Sequence, residues 1–295
     1  MDINKEIAVI DCSALAHRVK HTLSNLEMEY QPTGVIFGFM IKVLEISKRF
    51  KTNQFAFAFD SDKKKYKRKK IYSGYKVSNK PKELTEEDIY LNNLCYSQLD
   101  ILRKEFLPII GFKNIFYKKG YEADDIIANI VMNNNGKFVI YSGDEDMYQL
   151  LNYARIYKPS KKIYTKTNFI EEFKINPSKW YKVKAIAGCK SDCVPGVQGV
   201  GEKKAIQFLK KEGTKNMRDK ILSHKKMIQR NIKLVKLPFG KMKPIYLEKG
   251  EILSLGHFID ICNKYNFQSF LKMDQLDIWE EKLGLTRQII TECPF

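Results

Sequence analysis

Acidic residues in this chain gather where apolar runs end, although the chain as a whole is strongly basic. The runs Ile7-Ala8-Val9-Ile10-Asp11, Phe55-Ala56-Phe57-Ala58-Phe59-Asp60 and Phe138-Val139-Ile140-Tyr141-Ser142-Gly143-Asp144-Glu145-Asp146 each read as a β-strand closed by carboxylates. A fourth group, Tyr121-Glu122-Ala123-Asp124-Asp125, opens an apolar helix. Parallel strands present functional groups in the crevice beyond their carboxyl ends. Carboxylates that converge there repel one another unless a divalent cation neutralises them, and hard oxygen donors suit Mg²⁺ or Mn²⁺.

The surroundings of those acids have the opposite sign. Fifty-two Lys and Arg face 34 Asp and Glu, a net charge of +18 over 295 residues, which favours nucleic acid or an anionic membrane surface. No apolar run approaches the roughly 20 residues a membrane helix needs, and Met1 to Glu6 leads straight into the first strand without a secretory segment. A membrane partner is therefore not expected. An acidic metal pocket inside a basic shell predicts a nuclease. Cysteines at 12, 95, 189, 193, 262 and 293 have no disulfide-scaffold rhythm, which predicts reduced thiols in a cytoplasmic setting. No second Cys or His pair completes a zinc site with Cys189 and Cys193, and none of the four histidines pairs with a nucleophile.

With 44% hydrophobic residues the chain can bury a substantial core, and its length predicts two domains: a nuclease core over 1–178 and a helical, DNA-binding part over 179–295. Helical spacing predicts helices at Leu15 to Lys20, at Gly34 to Phe50, from Thr85 (with Asp88 as its capping partner) towards Phe106, and from Glu122 onward. Strands are expected at Ile115 to Tyr117 and Lys137 to Tyr141. Alternation of this kind predicts an α/β fold with a mostly parallel, twisted sheet covered by helices on both faces. From about Trp180 the strand signal fades. Val183 to Ala187 and the segment through Ile206 and Leu209 read as helices, and Ile221, Ile228, Ile232 and Val235 as one helical face.

Two stretches carry binding chemistry. Between Ser61 and Lys82 the sequence has ten Lys or Arg, one acid and three tyrosines. Like charges at this density disfavour a compact element unless an anion is present. The interleaved Tyr66, Tyr72 and Tyr75 suit stacking on single-stranded nucleic acid. In Val194-Pro195-Gly196-Val197-Gln198-Gly199-Val200-Gly201-Glu202-Lys203-Lys204, closely spaced glycines before a helix would let the backbone and both lysines approach a phosphate.

Taken together, Val9-Ile10-Asp11, Phe59-Asp60, Arg68 to Tyr75-Lys76, Glu122-Ala123-Asp124-Asp125, Ser142-Gly143-Asp144-Glu145-Asp146 and Ser191-Asp192-Cys193-Val194-Pro195-Gly196-Val197 resemble the flap endonuclease / 5′–3′ exonuclease family in order and spacing. The likeness spans roughly residues 6 to 211, and the style is that of the stand-alone, phage-type enzymes. It implies a sheet-based core, a basic helical arch at about 61–84 and a helical C-terminal part containing a helix–three-turn–helix at Lys190 to Gly201. It also implies two metals per site, Mg²⁺ with Mn²⁺ as substitute: Asp11, Asp60, Glu122 and Asp124 at the first, and Asp125, Asp144, Asp146 and Asp192 at the second or its water shell. Arg68 and Lys76 would reach the scissile phosphate, Tyr75 would stack on a base, and Arg18 would lie beside the first aspartate. The glycines Gly196, Gly199 and Gly201, with Lys203 and Lys204, would grip the duplex backbone, with K⁺ at the three-turn. Implied substrates are 5′ flaps, nicks and ends in DNA, or RNA–DNA hybrid, cut by a monomer in replication, primer removal or repair.

The sequence departs from the family where Cys189 stands in place of an aspartate and Cys193 in place of an asparagine, and Asn79 and Lys80 lie where an arginine is usual. A thiol at 189 lacks a hard oxygen, so the second site is expected to hold Mg²⁺ weakly or prefer Mn²⁺. Two other readings follow: a cleavage-impaired relative that binds branched DNA, and a phosphatase using Asp144 and Asp146.

Overall fold

The structure, a computed structural model, describes residues 5–20, 27–28, 31–62, 66–77 and 85–287. A six-stranded sheet organises the molecule: β1 (Glu6–Asp11), β2 (Gln54–Phe59), β3 (Ile115–Tyr117), β4 (Lys137–Tyr141), β5 (Ala154–Tyr157) and β6 (Ile163–Tyr164). Their spatial order is β3-β2-β1-β4-β5-β6. All neighbours are parallel except β6, which runs antiparallel to β5. The chain builds outward from β1 through β2 to β3, then crosses back to lay β4 on the other side of β1. Strand order thus reverses between β1 and β4, the place where open α/β sheets form their ligand crevice.

Side-chain size sorts the two faces. Successive residues of a strand point to opposite sides, so Phe55, Phe57 and Phe59 fill one hydrophobic cluster while Ala56 and Ala58 enter the other. Within β1, Ala8 and Ile10 share the phenylalanine face, and Ile7 and Val9 share the alanine face. The small alanines let the helix Ala123–Asn133 close down on the sheet with Ile126, Ile127 and Ile130. The phenylalanine face is covered by the helices Cys12–Val19, Gly34–Phe50 and Glu86–Ile101. The last begins as the sequence predicts: the Thr85 hydroxyl accepts from the Asp88 amide at 3.1 Å and the Asp88 carboxylate from the Thr85 amide at 3.2 Å. It passes through a π-turn at Leu102–Phe106 into Leu107–Ile110.

The 178/179 boundary does not separate two cores. Phe258, Cys262, Trp279 and Leu283, from the helices Leu255–Lys264 and Met273–Leu283, sit in the same cluster as Phe39 and Phe106. Before returning there, the chain crosses the flank of the Ala123–Asn133 helix without regular structure, pinned by asparagine side chains. Asn129 accepts from the Ile245 amide (2.7 Å) and donates to the Lys243 carbonyl (3.2 Å). Asn134 accepts from the Leu247 amide and donates to the Ile245 carbonyl. Asn114 does the same at the Glu248 amide and carbonyl. The face expected over Ile221 to Val235 is two helices, Lys215–Ser223 and Lys225–Val235, with His224 between them.

Of the expected basic arch, residues 63–65 and 78–84, including Asn79 and Lys80, lie outside the described residues, as does Cys293. The stretch from Tyr66 to Val77 is ordered against the core, which corrects the expectation that its charge would keep it open. A 3-10 turn at Lys67–Lys70 is followed by further turns, and Tyr66, Arg68 and Tyr75 are buried. The anions that make this arrangement compact come from within the protein.

Candidate active site

Four carboxylates reach one cleft from four separate element ends. Asp11 closes β1 and caps the following helix, accepting from the Ala14 amide at 3.0 Å. Asp60 follows β2 and accepts from the Ala123 amide at 2.8 Å, which ties it to the helix that carries Asp124. Asp144 follows β4. Together, Asp11, Asp60, Asp124 and Asp144 line a cleft of about 850 Å³ with Lys76, Tyr66 and, on its far wall, Tyr96, Arg103, Lys104 and Tyr117. The far wall was not read from the sequence. Its cations lie in the π-turn Leu102–Phe106, which no spacing in the sequence distinguishes.

Crowded acids show in their proton affinities. Burial, then the neighbouring Asp60, pushes Asp11 up to about 7. Burial, then Asp144 and Asp11, raises Asp124 well above the usual carboxylate range. Asp146 rises to about 7 through burial and Asp144, with Lys184 opposing.

Asp146 belongs to a second group. One donor atom each from Asp146, Cys189 and Asp192 lies within 4.8 Å of the others, and all three residues are buried. The short antiparallel pair Gly188–Cys189 and Val194–Pro195 presents this cysteine. Burial and Asp146 push its thiol up to about 12. Lys184, from the helix Trp180–Ala187, stands 3.8 Å from Asp146 and 3.1 Å from Glu202. Sequence reading passed over Lys184. The available signal was a lysine among buried Val183, Ala185 and Ile186.

Lys76 faces both groups. Its ammonium lies 3.1 Å from Glu122 and 3.5 Å from Asp192, and its backbone amide donates to the Asp192 carbonyl at 2.8 Å. Burial opposes its charge, but Glu122 and Asp192 outweigh that and raise its proton affinity. Its φ of 53° is a left-handed conformation that a side-chain-bearing residue holds only at a cost of order 1–3 kcal/mol.

Several expected roles need correction. Asp125 and Arg68, expected at a metal and at the phosphate, are paired with each other. The guanidinium donates to both oxygens of Asp125 at 2.5 and 2.8 Å, and the Phe239 amide donates to Oδ1. Arg68 also donates to the Leu234 carbonyl at 2.7 Å and is buried, so it does not reach the cleft. Tyr75, expected to stack on a base, is 1% exposed, and its hydroxyl donates to Glu122 at 3.0 Å. Glu122 itself faces Lys76 and Tyr75 and is not among the residues that line the cleft. The glycines divide as well. A Cβ on Gly196 would stand 2.1 Å from the Ala187 carbonyl oxygen, so this glycine serves close packing inside the protein. Gly199 and Gly201 are exposed at the start of the helix Glu202–Leu209, beside exposed Lys203 and Lys204, and the Lys204 ammonium donates to the Gly199 carbonyl at 2.8 Å. Arg18 is exposed near the end of the helix that Asp11 caps.

A parallel sheet whose switch point gathers carboxylates beside a lysine suits metal-assisted phosphoryl chemistry, and the comparisons decide which kind. The sequence model of the 5′-3′ exonuclease N-terminal, resolvase-like domain matches residues 6–174. A 5′-3′ exonuclease of Aquifex aeolicus is 33% identical over 216 residues, 71% of each chain. The thermostable DNA polymerase I of Thermus aquaticus is 29% identical over 235 residues, 74% of this chain but 27% of the polymerase, so the match spans about a quarter of that relative. A crystal structure of the bacteriophage T5 flap endonuclease in a pseudo-enzyme-product complex with DNA and metal ions superposes with a TM-score of 0.66 at 18% identity, covering 96% of this chain and all of that one, which shows the shared fold. The chain belongs to the 5′-3′ exonuclease family, and its activity is that of a nuclease hydrolase.

Two outcomes follow from the geometry. Arg68→Ala leaves Asp125 charged and unpaired in the interior, which should cost about 3–5 kcal/mol in denaturant unfolding. Arg68→Lys keeps the charge but loses the two-pronged contact, so its loss should be smaller but clear. For the second, Asp11 and Asp146 hold protons up to about 7 when folded, against 3.8 as the ordinary value. The native state therefore binds more protons than the unfolded chain across that interval, and stability falls as pH rises through it. In chelator, calorimetry should show a higher Tm at about pH 5.5 than at about pH 8, and Asp11→Asn should reduce the difference.

Proposed function

We propose that this nuclease is structure-specific, cutting DNA near 5′ single-stranded flaps, nicks and ends, with RNA–DNA hybrid as a further substrate. The observation that carries the reading is the convergence of Asp11, Asp60, Asp124 and Asp144 on one cleft beneath Lys76. The donor set fits hard divalent cations such as Mg²⁺ or Mn²⁺. Burial and then like-charge crowding raise the proton affinity of Asp11 and Asp124, and buried Asp146 Oδ1 has no hydrogen-bond partner among the described residues. Asp11, Asp60, Asp124 and Asp144 would hold one ion, and Asp146 and Asp192, with Asp144 between the groups, a second. A bound pair supplies an activated water and stabilises the leaving oxygen.

The chain's own groups do the rest. Lys76 carries a cation to the edge of the cleft, placed to offset charge that accumulates on the phosphate as the bond breaks. Arg103 and Lys104, with the rings of Tyr96 and Tyr117, offer the far wall to a single strand by charge and stacking. Lys203 and the amides at the start of the helix Glu202–Leu209 suit the duplex backbone. A K⁺ ion at this turn would share the Gly199 carbonyl with Lys204. The dependence on a free 5′ strand, the monomeric state and a place in replication or repair rest on family membership. The Cys189 substitution keeps one second reading open, a relative that grips branched DNA without cutting it.

A 5′-labelled flap and a nicked duplex, each with Mg²⁺, Mn²⁺ or chelator, test the reading: metal-dependent cutting near the junction is expected, and tight binding without cutting under every metal would leave the second reading. Asp124→Asn should abolish cleavage while flap binding, followed by anisotropy, persists or tightens. Lys76→Ala should lower kcat by about 100-fold or more with little change in duplex affinity. Lys203→Ala should instead weaken binding and reduce its log–log salt slope by about 1.

A further inference from the structure

We propose that Asp146, Cys189 and Asp192 form a mixed thiolate–carboxylate site that selects a borderline-soft divalent cation of the zinc type over Mg²⁺. The inference rests on the nuclease reading above and deepens it: the two halves of the acidic crevice would differ in the kind of metal they take. Three observations carry it. The donor atoms of the three residues lie within 4.8 Å of one another, close enough to serve one ion. Asp146 is 6% exposed, and among the described residues its Oδ1 has no hydrogen-bond partner, the Lys184 ammonium standing 3.8 Å away. The cysteine sulfur points into the group, 3.9 Å from the other oxygen of Asp146 and 3.0 Å from the Ser191 hydroxyl.

Donor chemistry then sets the preference. Thiolate sulfur favours zinc and related ions, whereas Mg²⁺ demands oxygen and gives up its water reluctantly. The first group, Asp11, Asp60, Asp124 and Asp144, is all oxygen and has no such bias. Binding at the second group exchanges one bond for another: the Cys189 S–H breaks, the sulfur binds the metal, and the proton leaves to solvent without any change of oxidation state. Charge balance is already arranged for the exchange. Lys184, 3.8 Å from Asp146, also has Glu202 at 3.1 Å and Glu145 at 3.7 Å, and Lys76, 3.5 Å from Asp192, also has Glu122 at 3.1 Å. Each lysine can yield its aspartate to a metal and keep a carboxylate partner.

Co²⁺ is the probe, because a thiolate ligand gives it a near-ultraviolet charge-transfer band that oxygen ligands do not. The full-length chain, stripped with chelator, is titrated with Co²⁺ and then with Zn²⁺ in competition, as wild type, Cys189→Ser and Cys189→Asp, each checked for native circular dichroism. The expected result is a thiolate band in wild type that Zn²⁺ displaces and that both variants lack. Cys189→Asp should bind Zn²⁺ at least about tenfold more weakly and cut flap DNA at lower Mg²⁺. The proposal is overturned if Co²⁺ binds wild type without the band, or if the band survives in Cys189→Ser and so comes from another cysteine. Cleavage by Cys189→Asp with Mg²⁺ separates the two ideas. Cutting there without a wild-type band would sink the soft site alone, whereas a band without cutting by any form under any metal would sink the nuclease reading alone.

Discussion

The buried pair of Arg68 and Asp125 is the joint on which the crevice depends. Arg68 comes from the base of the basic segment, Asp125 from the first turn of the helix Ala123–Asn133. The groups that complete the pair, the Leu234 carbonyl and the Phe239 amide, come from the end of the helix Lys225–Val235 and the segment beyond it. Removing two charges from water is costly, and their attraction compensates only when the remaining donors and acceptors are satisfied. Here both Asp125 oxygens and three guanidinium nitrogens are satisfied, and the guanidinium also lies 4.7 Å from the centre of the Phe239 ring. Three elements distant in sequence are thereby fixed within reach of Glu122, whose own backbone amide donates to Asp125 at 3.2 Å.

From that joint the placement of Lys76 follows. Tyr66, Tyr75, Leu234 and Val235 share one small hydrophobic cluster with Ala185, Cys189 and Val194. The segment that carries Tyr66 and Tyr75, the helix that carries Lys184 and the hairpin that carries Cys189 are therefore packed as one body. The Lys76 amide to Asp192 bond closes the body on its acidic side. The strained backbone at Lys76 is held by these contacts, as an unfavourable conformation must be.

How much of this could be read from the sequence depends on whether a residue acts locally. Asp11, Asp60 and Asp144 were legible because strand ends are local features, and a parallel sheet brings its carboxyl ends together whatever the loops do. The alternation of strands with helices likewise pointed to a sheet covered on two faces. The roles of Arg68 and Tyr75 were those the family resemblance implies; their burial depends on partners remote in sequence, Asp125 lying 57 residues from Arg68. Gly196 was misjudged for a related reason: glycine signals close approach without saying to what, and here the neighbour is the Ala187 carbonyl. The far wall of the cleft gave no signal at all, since Arg103 and Lys104 also make ordinary helix-surface ion pairs with Asp100.

Phe258, Trp279 and Leu283 join the hydrophobic cluster on the phenylalanine side of the sheet through the helices Gly34–Phe50 and Leu107–Ile110, more than a hundred positions after them. Contacts of such long sequence separation form late, because the loop entropy must be met before the contact gives anything back. A chain emerging from the ribosome would therefore hold its sheet under the helices Cys12–Val19, Gly34–Phe50 and Glu86–Ile101 but without this outer layer until the final helices arrive.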